Sequence, residues 1–340
     1  MQLRNISDRR ALLWALGLFP ALPALSYLRP ELAPWLLPVA LYLAYCSGVL
    51  AHNHNHAPVF RRKRMNSLYS AWLSFFYGCP LFVWVPTHNQ NHHRYLDGPG
   101  DATRTAALAP RDSLWGALSY PTRSAIAQWP AIWQYARAAR HNNHTRFRQI
   151  LLETLTVLVG HAAAAAFAVV HYGLSRGGVL YACAFGIPAL FAAWAMMFTN
   201  YVQHVGCDPA SPENHSRNFV SRWTNWLVFD AGYHTVHHEH AGTHWSRYPA
   251  LHAARASRIA PALNQATIFG YCVRKYIASP AARALGLTAT DCGYEENQCA
   301  RQDGVAAGGS AFGGAGRVEE RGLGAAAVGG GSERMCGARE

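Results

Sequence analysis

The sequence predicts an all-α integral membrane protein: four transmembrane helices in two hairpins, a re-entrant or interfacial segment, and a cytoplasmic helical cap carrying histidine boxes. Three observations predict it. Long apolar blocks carry no charge, basic residues gather on one side of those blocks, and tight histidine clusters stand at their ends. Of the 340 residues, 51% are hydrophobic and 14% charged, where a soluble domain carries about 25% charged residues. A disordered chain, a collagen and a coiled coil are excluded. The formal net charge is +12, but the basic residues flank apolar blocks. They read as topology signals, with no nucleic-acid partner expected.

The blocks come in order. A bilayer needs about 20 apolar residues to be crossed. Ala11–Leu28 and Ala33–Ala51 hold no acidic or basic residue and are joined by Arg29-Pro30-Glu31-Leu32. Arg-Pro-Glu after Leu28 is no small-residue cleavage site, so the first block reads as a span and not as a leader. Thr154–Ser175 and Gly178–Asn200 form the second pair, joined around Arg176. Connections this short make each pair a hairpin. Arg4, Arg9 and Arg10, then Arg61-Arg62-Lys63-Arg64, then Arg137, Arg140, Arg146 and Arg148 lie on one side, which the positive-inside rule places in the cytoplasm.

Ser67–Thr87 is a fifth uncharged block, interrupted by Gly78-Cys79-Pro80. Proline inside a helix removes a hydrogen bond and clashes with the preceding turn. A broken segment that returns to the cytoplasmic side is expected. Asp112–Gln149 mixes Trp115, Trp129 and Trp133 with Arg and His, which suits helices at the headgroup level. Residues 208–285 are expected to form the cap, so residues 1–285 make one membrane domain. Residues 286–340, Gly/Ala-rich from about Arg301, cannot bury enough to order themselves. The eight cysteines show no CxxC pair and no disulfide framework.

Histidine carries the chemistry. His52-Asn-His54-Asn-His56 follows the second span, His88-Asn-Gln-Asn-His92-His93 follows the broken block, and His234-Thr-Val-His237-His238 lies in the cap. His204 follows the fourth span. Residues at i and i+3 or i+4 share a helix face, so His52 with His56, His88 with His92, and His234 with His237 and His238 are each expected to aim at one place. His54 points to the other side. Neutral imidazole suits iron, copper and zinc, and nine such rings exceed one metal and suit two. They share a side only if Ser67–Thr87 does not cross.

One HxxxH alone is weak, because helix-interface histidines explain most isolated pairs. Three boxes and His204 on one face form a metal site. His161 and His171, inside the third span, read as packing or interhelical contacts. His141, His144, His215, His240, His244 and His252 read as surface groups or supports for ligands. Asp101, Asp230 and Glu239 are candidates to orient imidazole N–H groups. Trp72, Phe75, Phe76, Phe82 and Trp84 are candidates to line a path for an alkyl chain.

HxxxH, HxxxHH and HxxHH in this order, with hydrophobic hairpins between, resemble the membrane fatty acid desaturase superfamily over roughly residues 30–260. The resemblance implies a non-haem di-iron centre that uses O2, with His52, His56, His88, His92, His93, His204, His234, His237 and His238 as iron ligands and catalytic site. It implies that Asn200, one turn before His204, holds an iron through water. The first box reads HNHNH, with His54 extra. The second has the longer HxxxHH spacing, and the third begins with His where front-end desaturases carry Gln. No HPGG haem-binding signature is present.

The implied activity is an oxygen-dependent fatty acyl (lipid) desaturase that removes two hydrogens from an acyl chain. The implied partners are an acyl lipid or acyl-thioester substrate, membrane lipids, and an external electron donor, ferredoxin-like or a small haem carrier, with its reductase. A hydroxylase or ketolase of a lipid, carotenoid or other hydrophobic substrate is the alternative on the same scaffold. A non-enzymatic haem or metal-binding membrane protein is third, since bis-histidine haem needs facing histidines within the spans. The expected location is the cytoplasmic membrane if the source is bacterial, with the site on its cytoplasmic face.

Overall fold

The computed structural model describes residues 2–284, which are mostly helical. Helices α1 (Asp8–Leu28) and α2 (Pro30–His56) form the first hairpin. Helices α3 (Lys63–Tyr77) and α4 (Leu81–Tyr95) form a pair bent by 98°. Helix α5 (Leu114–Asn142) follows, with Trp115, Trp129 and Trp133 exposed along it. Helices α6 (His144–Tyr172) and α7 (Leu174–His204) form the second hairpin. Among the described residues, α1, α2, α6 and α7 are the four single helices long and apolar enough to cross a membrane. The expected tail at 286–340, with Cys292, Cys299 and Cys336, lies outside the described residues.

The spanning helices outlast their apolar runs. Helix α2 has 27 residues, about 40 Å at 1.5 Å per residue, whereas the hydrocarbon core is about 30 Å thick. Its last turns therefore emerge from the apolar layer carrying His52 and His56. Helix α7 does the same with His204.

The bend between α3 and α4 sits at the Gly-Cys-Pro break. Gly78 closes α3 in the left-handed region (φ 74°), and its N–H donates to the carbonyls of Ser74 (2.9 Å) and Phe75 (3.3 Å). Ser74 Oγ then accepts from the Leu81 N–H at the start of α4 (3.0 Å). The segment returns to the level it left, because His88 on α4 lies beside His52 at the end of α2.

Beyond α7 the chain builds a cap from α8 (Arg222–Leu227), α9 (His234–Glu239), α10 (Tyr248–Arg255) and α11 (Ile268–Val273). Two short parallel strands, β1 (Asn218–Phe219) and β2 (Asn264–Gln265), fasten it. The cap docks on α1: Trp14 packs edge-on against Phe229 at 5.1 Å, and the Arg10 guanidinium stands over the Trp245 ring at 4.7 Å. A guanidinium over an aromatic face is attracted by the ring quadrupole.

Gly78 is the position where this geometry tolerates no side chain. A Cβ there would lie 2.2 Å from Cβ of Ala189 on α7, and the left-handed backbone adds about 1–2 kcal/mol for any L side chain. Gly78→Ala is expected to lower the thermal midpoint in detergent and the folded yield. A midpoint equal to the parent's would contradict this account of the bend.

Candidate metal centre

Each histidine cluster is brought in by a different element. Helix α2 supplies His52 and His56 from its emerging end, and α7 supplies His204 from its own. The second cluster rides on the return helix, whose stretch Val85–His92 is π-helical. The chain then turns through two left-handed residues, Leu96 (φ 47°) and Asp97 (φ 65°), which bring Asp101 back beneath His92. A second left-handed pair, Phe229 (φ 51°) and Asp230 (φ 59°), leads into α9 and the third cluster.

Among the described residues the histidines form two groups whose ring nitrogens could each hold one ion. His52, His56, His88, His93 and His237 form the first, and His92, His204, His234 and His238 the second. The groups adjoin, with the His93 and His238 ring centres 4.6 Å apart. His54 belongs to neither. Its ring contacts the Asn66 carbonyl and the Val59 N–H (3.3 Å each) and stands edge-on to Tyr69.

The way the boxes are shared corrects the sequence expectation. His88 and His92 do not aim at one place: His88 joins His93, and His92 joins the other group. In a π-helix the i→i+5 hydrogen bond brings residue i+5 over residue i, so the fifth residue is the neighbour. The third box also divides, His234 and His238 one α-turn apart in one group and His237 in the other. The second and third boxes therefore straddle both groups.

The rings fit a cation better than they fit each other. In the first group His52 Nε2 lies 2.8 Å from His88 Nε2, and His93 Nε2 lies 3.0 Å from His88 Nε2 and 3.1 Å from His237 Nε2. In the second, the Nε2 atoms of His204, His234 and His238 form a triangle with edges of 2.9, 2.9 and 3.2 Å. Imidazole nitrogens about 2.0–2.1 Å from one ion stand about 3 Å apart when adjacent. On several rings the opposite nitrogen is already committed, although His238 Nδ1 has no partner. His204 Nδ1–H donates to the His215 carbonyl (3.1 Å), His92 Nδ1–H to Asp101 (2.7 Å), and His52 Nδ1–H to Asn53 Oδ1 (3.3 Å). A neutral ring that donates at Nδ1 presents a lone pair at Nε2. His56 Nε2 and His92 Nε2 are buried without any partner, an omission that costs about 1–3 kcal/mol each if nothing binds there.

Burial first, and then the neighbouring rings, push His88, His234, His237 and His238 well below the ordinary histidine range. They are neutral at physiological pH, the form in which imidazole ligates a metal. Asp101 is the charged support. Burial works to raise its carboxyl, but donation from His92 and Thr103 outweighs that and holds it below the usual range. One carboxylate accepts from His92 Nδ1, the Asp97 N–H (2.9 Å), the Thr103 N–H (2.7 Å) and Thr103 Oγ (2.6 Å).

Of the three acids singled out, Asp101 alone touches one of the nine rings. Glu239 pairs with Arg255 (2.6 Å), and Asp230 lies near Arg10 and His244. Sequence reasoning missed Tyr248, whose hydroxyl meets His237 Nδ1 at 3.1 Å, and the His215 carbonyl behind His204. Neither has a motif, since one is a tyrosine eleven residues away and the other a backbone atom. Asn200 stands one turn before His204, with its Nδ2 donating to the Tyr120 hydroxyl (2.9 Å). His161 donates to the Phe75 carbonyl between helices, and His171 caps the Phe167 carbonyl on its own helix.

The aromatic path expected in the broken block is not where the large cavity lies. Trp72 donates to the Ala15 carbonyl, Phe75 and Phe76 pack in the helix core, Phe82 stacks on Tyr135, and Trp84 backs His52 and His88. A predominantly apolar cavity of about 510 Å³ instead runs between α2, α7 and the cap, past Tyr45, Trp194, Phe198, Gln203, Ala231 and Phe269.

The model of the fatty acid desaturase family matches residues 30–269, so the chain belongs to that family. No curated protein and no solved structure matches it. Family membership and four apolar helices make it an integral membrane protein with oxidoreductase chemistry.

His204→Ala is expected to weaken metal binding strongly while leaving helix content unchanged, and His54→Ala to leave metal binding near the parent's. Asp101→Asn should cost about 10–100-fold in affinity, as loss of a group orienting a metal-bound histidine does. Metal titration of the three variants checks this. A damaging His54→Ala beside a tolerated His204→Ala would refute the grouping.

Proposed function

We propose that the chain is an oxygen-dependent acyl-lipid desaturase whose nine clustered histidines hold two irons on the cytoplasmic side of the membrane. The observation that carries this is the convergence of nine imidazoles, most of them buried, with their ring nitrogens gathered in two adjoining groups. His52, His56, His88, His93 and His237 would hold one iron. His92, His204, His234 and His238 would hold the other, with Asn200 reaching it through a water. Bound iron supplies the activation of O2 that removal of hydrogen from an unactivated methylene requires, since no side chain is a strong enough oxidant.

The residues do the rest. The cavity would take an alkyl chain, and Gln203, Ala231 and Gly232 of its wall stand on the segments that carry His204 and His234. Tyr233 and Trp84, both buried, help to close the site from water. Asp101 keeps the proton of His92 on Nδ1 and its lone pair inward. In the overall reaction a CH2–CH2 unit loses two hydrogens, O2 is reduced to two waters, and an external one-electron carrier supplies two electrons with two protons from solvent. The basic residues at the emerging helix ends suit an acidic carrier docking on that face.

Expression in a host with a defined lipid composition should yield new carbon–carbon double bonds, and the purified chain should contain two irons. New hydroxyl or keto groups would move the assignment to the hydroxylase or ketolase reading, and one zinc without iron would defeat the di-iron one. Tags placed near Arg61 and Asp97 should report the same side of the membrane; opposite sides would mean that the α3–α4 pair crosses.

A further inference from the structure

Helix α6 carries three polar side chains facing the re-entrant pair, and none of them belongs to the metal centre. Glu153 is 3% exposed. Its Oε2 accepts from the Phe82 N–H (2.6 Å), and its Oε1 accepts from Gln149 Nε2 (2.7 Å). Gln149 in turn donates to the Ser67 carbonyl near the start of α3 (3.2 Å) and meets the Ser67 hydroxyl. Two turns further on, His161 Nε2–H donates to the Phe75 carbonyl (2.9 Å), while its Nδ1 accepts from the Tyr181 hydroxyl (3.0 Å).

Two of these contacts fall at the break: Glu153 takes the Phe82 N–H, and His161 adds a donor to the Phe75 carbonyl, which otherwise has only the long bond from Gly78. A helix end exposes N–H groups at its start and carbonyls at its finish, and in an apolar layer water cannot satisfy them. Phe82 lies in the first turn of α4, where a carboxylate also meets the positive end of the helix dipole. Phe75 lies in the last turn of α3. Gly160 lets the Phe75 ring close on α6, since a Cβ there would lie 2.7 Å from that ring.

We propose that Glu153 and His161 are positioning residues that bracket the break in the re-entrant pair and thereby set the place of His88, His92 and His93. Glu153 holds the start of the return helix, and His161 holds the end of the outbound one. Both sit on a single spanning helix, so the second histidine cluster is referenced to α6 and not to the lipid. The inference rests on the reading of that cluster as a metal-holding one.

The test uses the full chain in lipid nanodiscs, comparing the parent with Glu153→Ala, Glu153→Gln and Glu153→Asp. Amide exchange of residues 81–95 reports the bracket without any metal. Cobalt(II), whose visible absorption reports its coordination geometry, reports the ligand positions. Glu153→Ala is expected to speed exchange at 81–95 at least tenfold with other segments unchanged. It should also weaken cobalt binding at least fivefold and alter the bands. Glu153→Gln still offers an acceptor oxygen to the Phe82 N–H and should recover both to within about twofold. Parental exchange and parental cobalt bands in Glu153→Ala would overturn the proposal, as would a Gln variant as damaged as the Ala one. If Glu153→Ala does not fold, Glu153→Asp decides: its shorter arm draws the carboxylate from Phe82, so exchange must rise, and parental exchange overturns. A parent that binds no cobalt defeats the metal reading instead, and the exchange result still judges the bracket.

Discussion

Nine imidazoles, most of them buried, crowd their ring nitrogens into two groups that a cation in each would best satisfy. A ring whose Nδ1–H is spent on a carbonyl or a carboxylate can only accept at Nε2, and His92 Nε2 has no donor within reach. Cations between the rings would meet that need, and every other feature of the fold serves to deliver the rings there. The helices overrun the membrane, the broken segment comes back, and the cap folds over the top.

The delivery depends on register more than on spacing. Because the return helix is π-helical across its histidines, His93 takes the place beside His88 that His92 would occupy in an α-helix. His92 is released to the second group. The third box divides in the complementary sense, giving two rings to the group that takes His92 and one to the other. Neither group is complete without residues from at least three separated parts of the chain, so metal binding and tertiary folding are coupled. The left-handed pairs Leu96–Asp97 and Phe229–Asp230 stand beside these boxes, where strained backbone is held in place by its surroundings.

Much of this was legible in the sequence because it rests on one-dimensional patterns. Uncharged runs of membrane length located the four spans, and Gly78 with Pro80 located the break. The requirement that His52 and His88 share a side forced the return. The division of the boxes was not legible, since it depends on an i→i+5 turn that leaves no periodic signature in eight residues. Nor was Asp101 separable from Asp230 and Glu239. All three are isolated acids, and only a left-handed turn brings one of them under a histidine. The aromatic run of the broken block suggested a substrate path, but those rings are spent on helix packing. The cavity is lined by residues of α2, α7 and the cap that are distant in sequence. Glu153 belongs to no motif, and its value lies in an N–H seventy-one residues earlier.

The most direct test locates the ions. Crystals or lipid-embedded particles of the iron-loaded chain, imaged with anomalous scattering at the iron edge or by electron cryomicroscopy, should show two separate centres. One should lie among His52, His56, His88, His93 and His237, and the other among His92, His204, His234 and His238. A single centre, or an ion held by His88 and His92 together, would contradict the account.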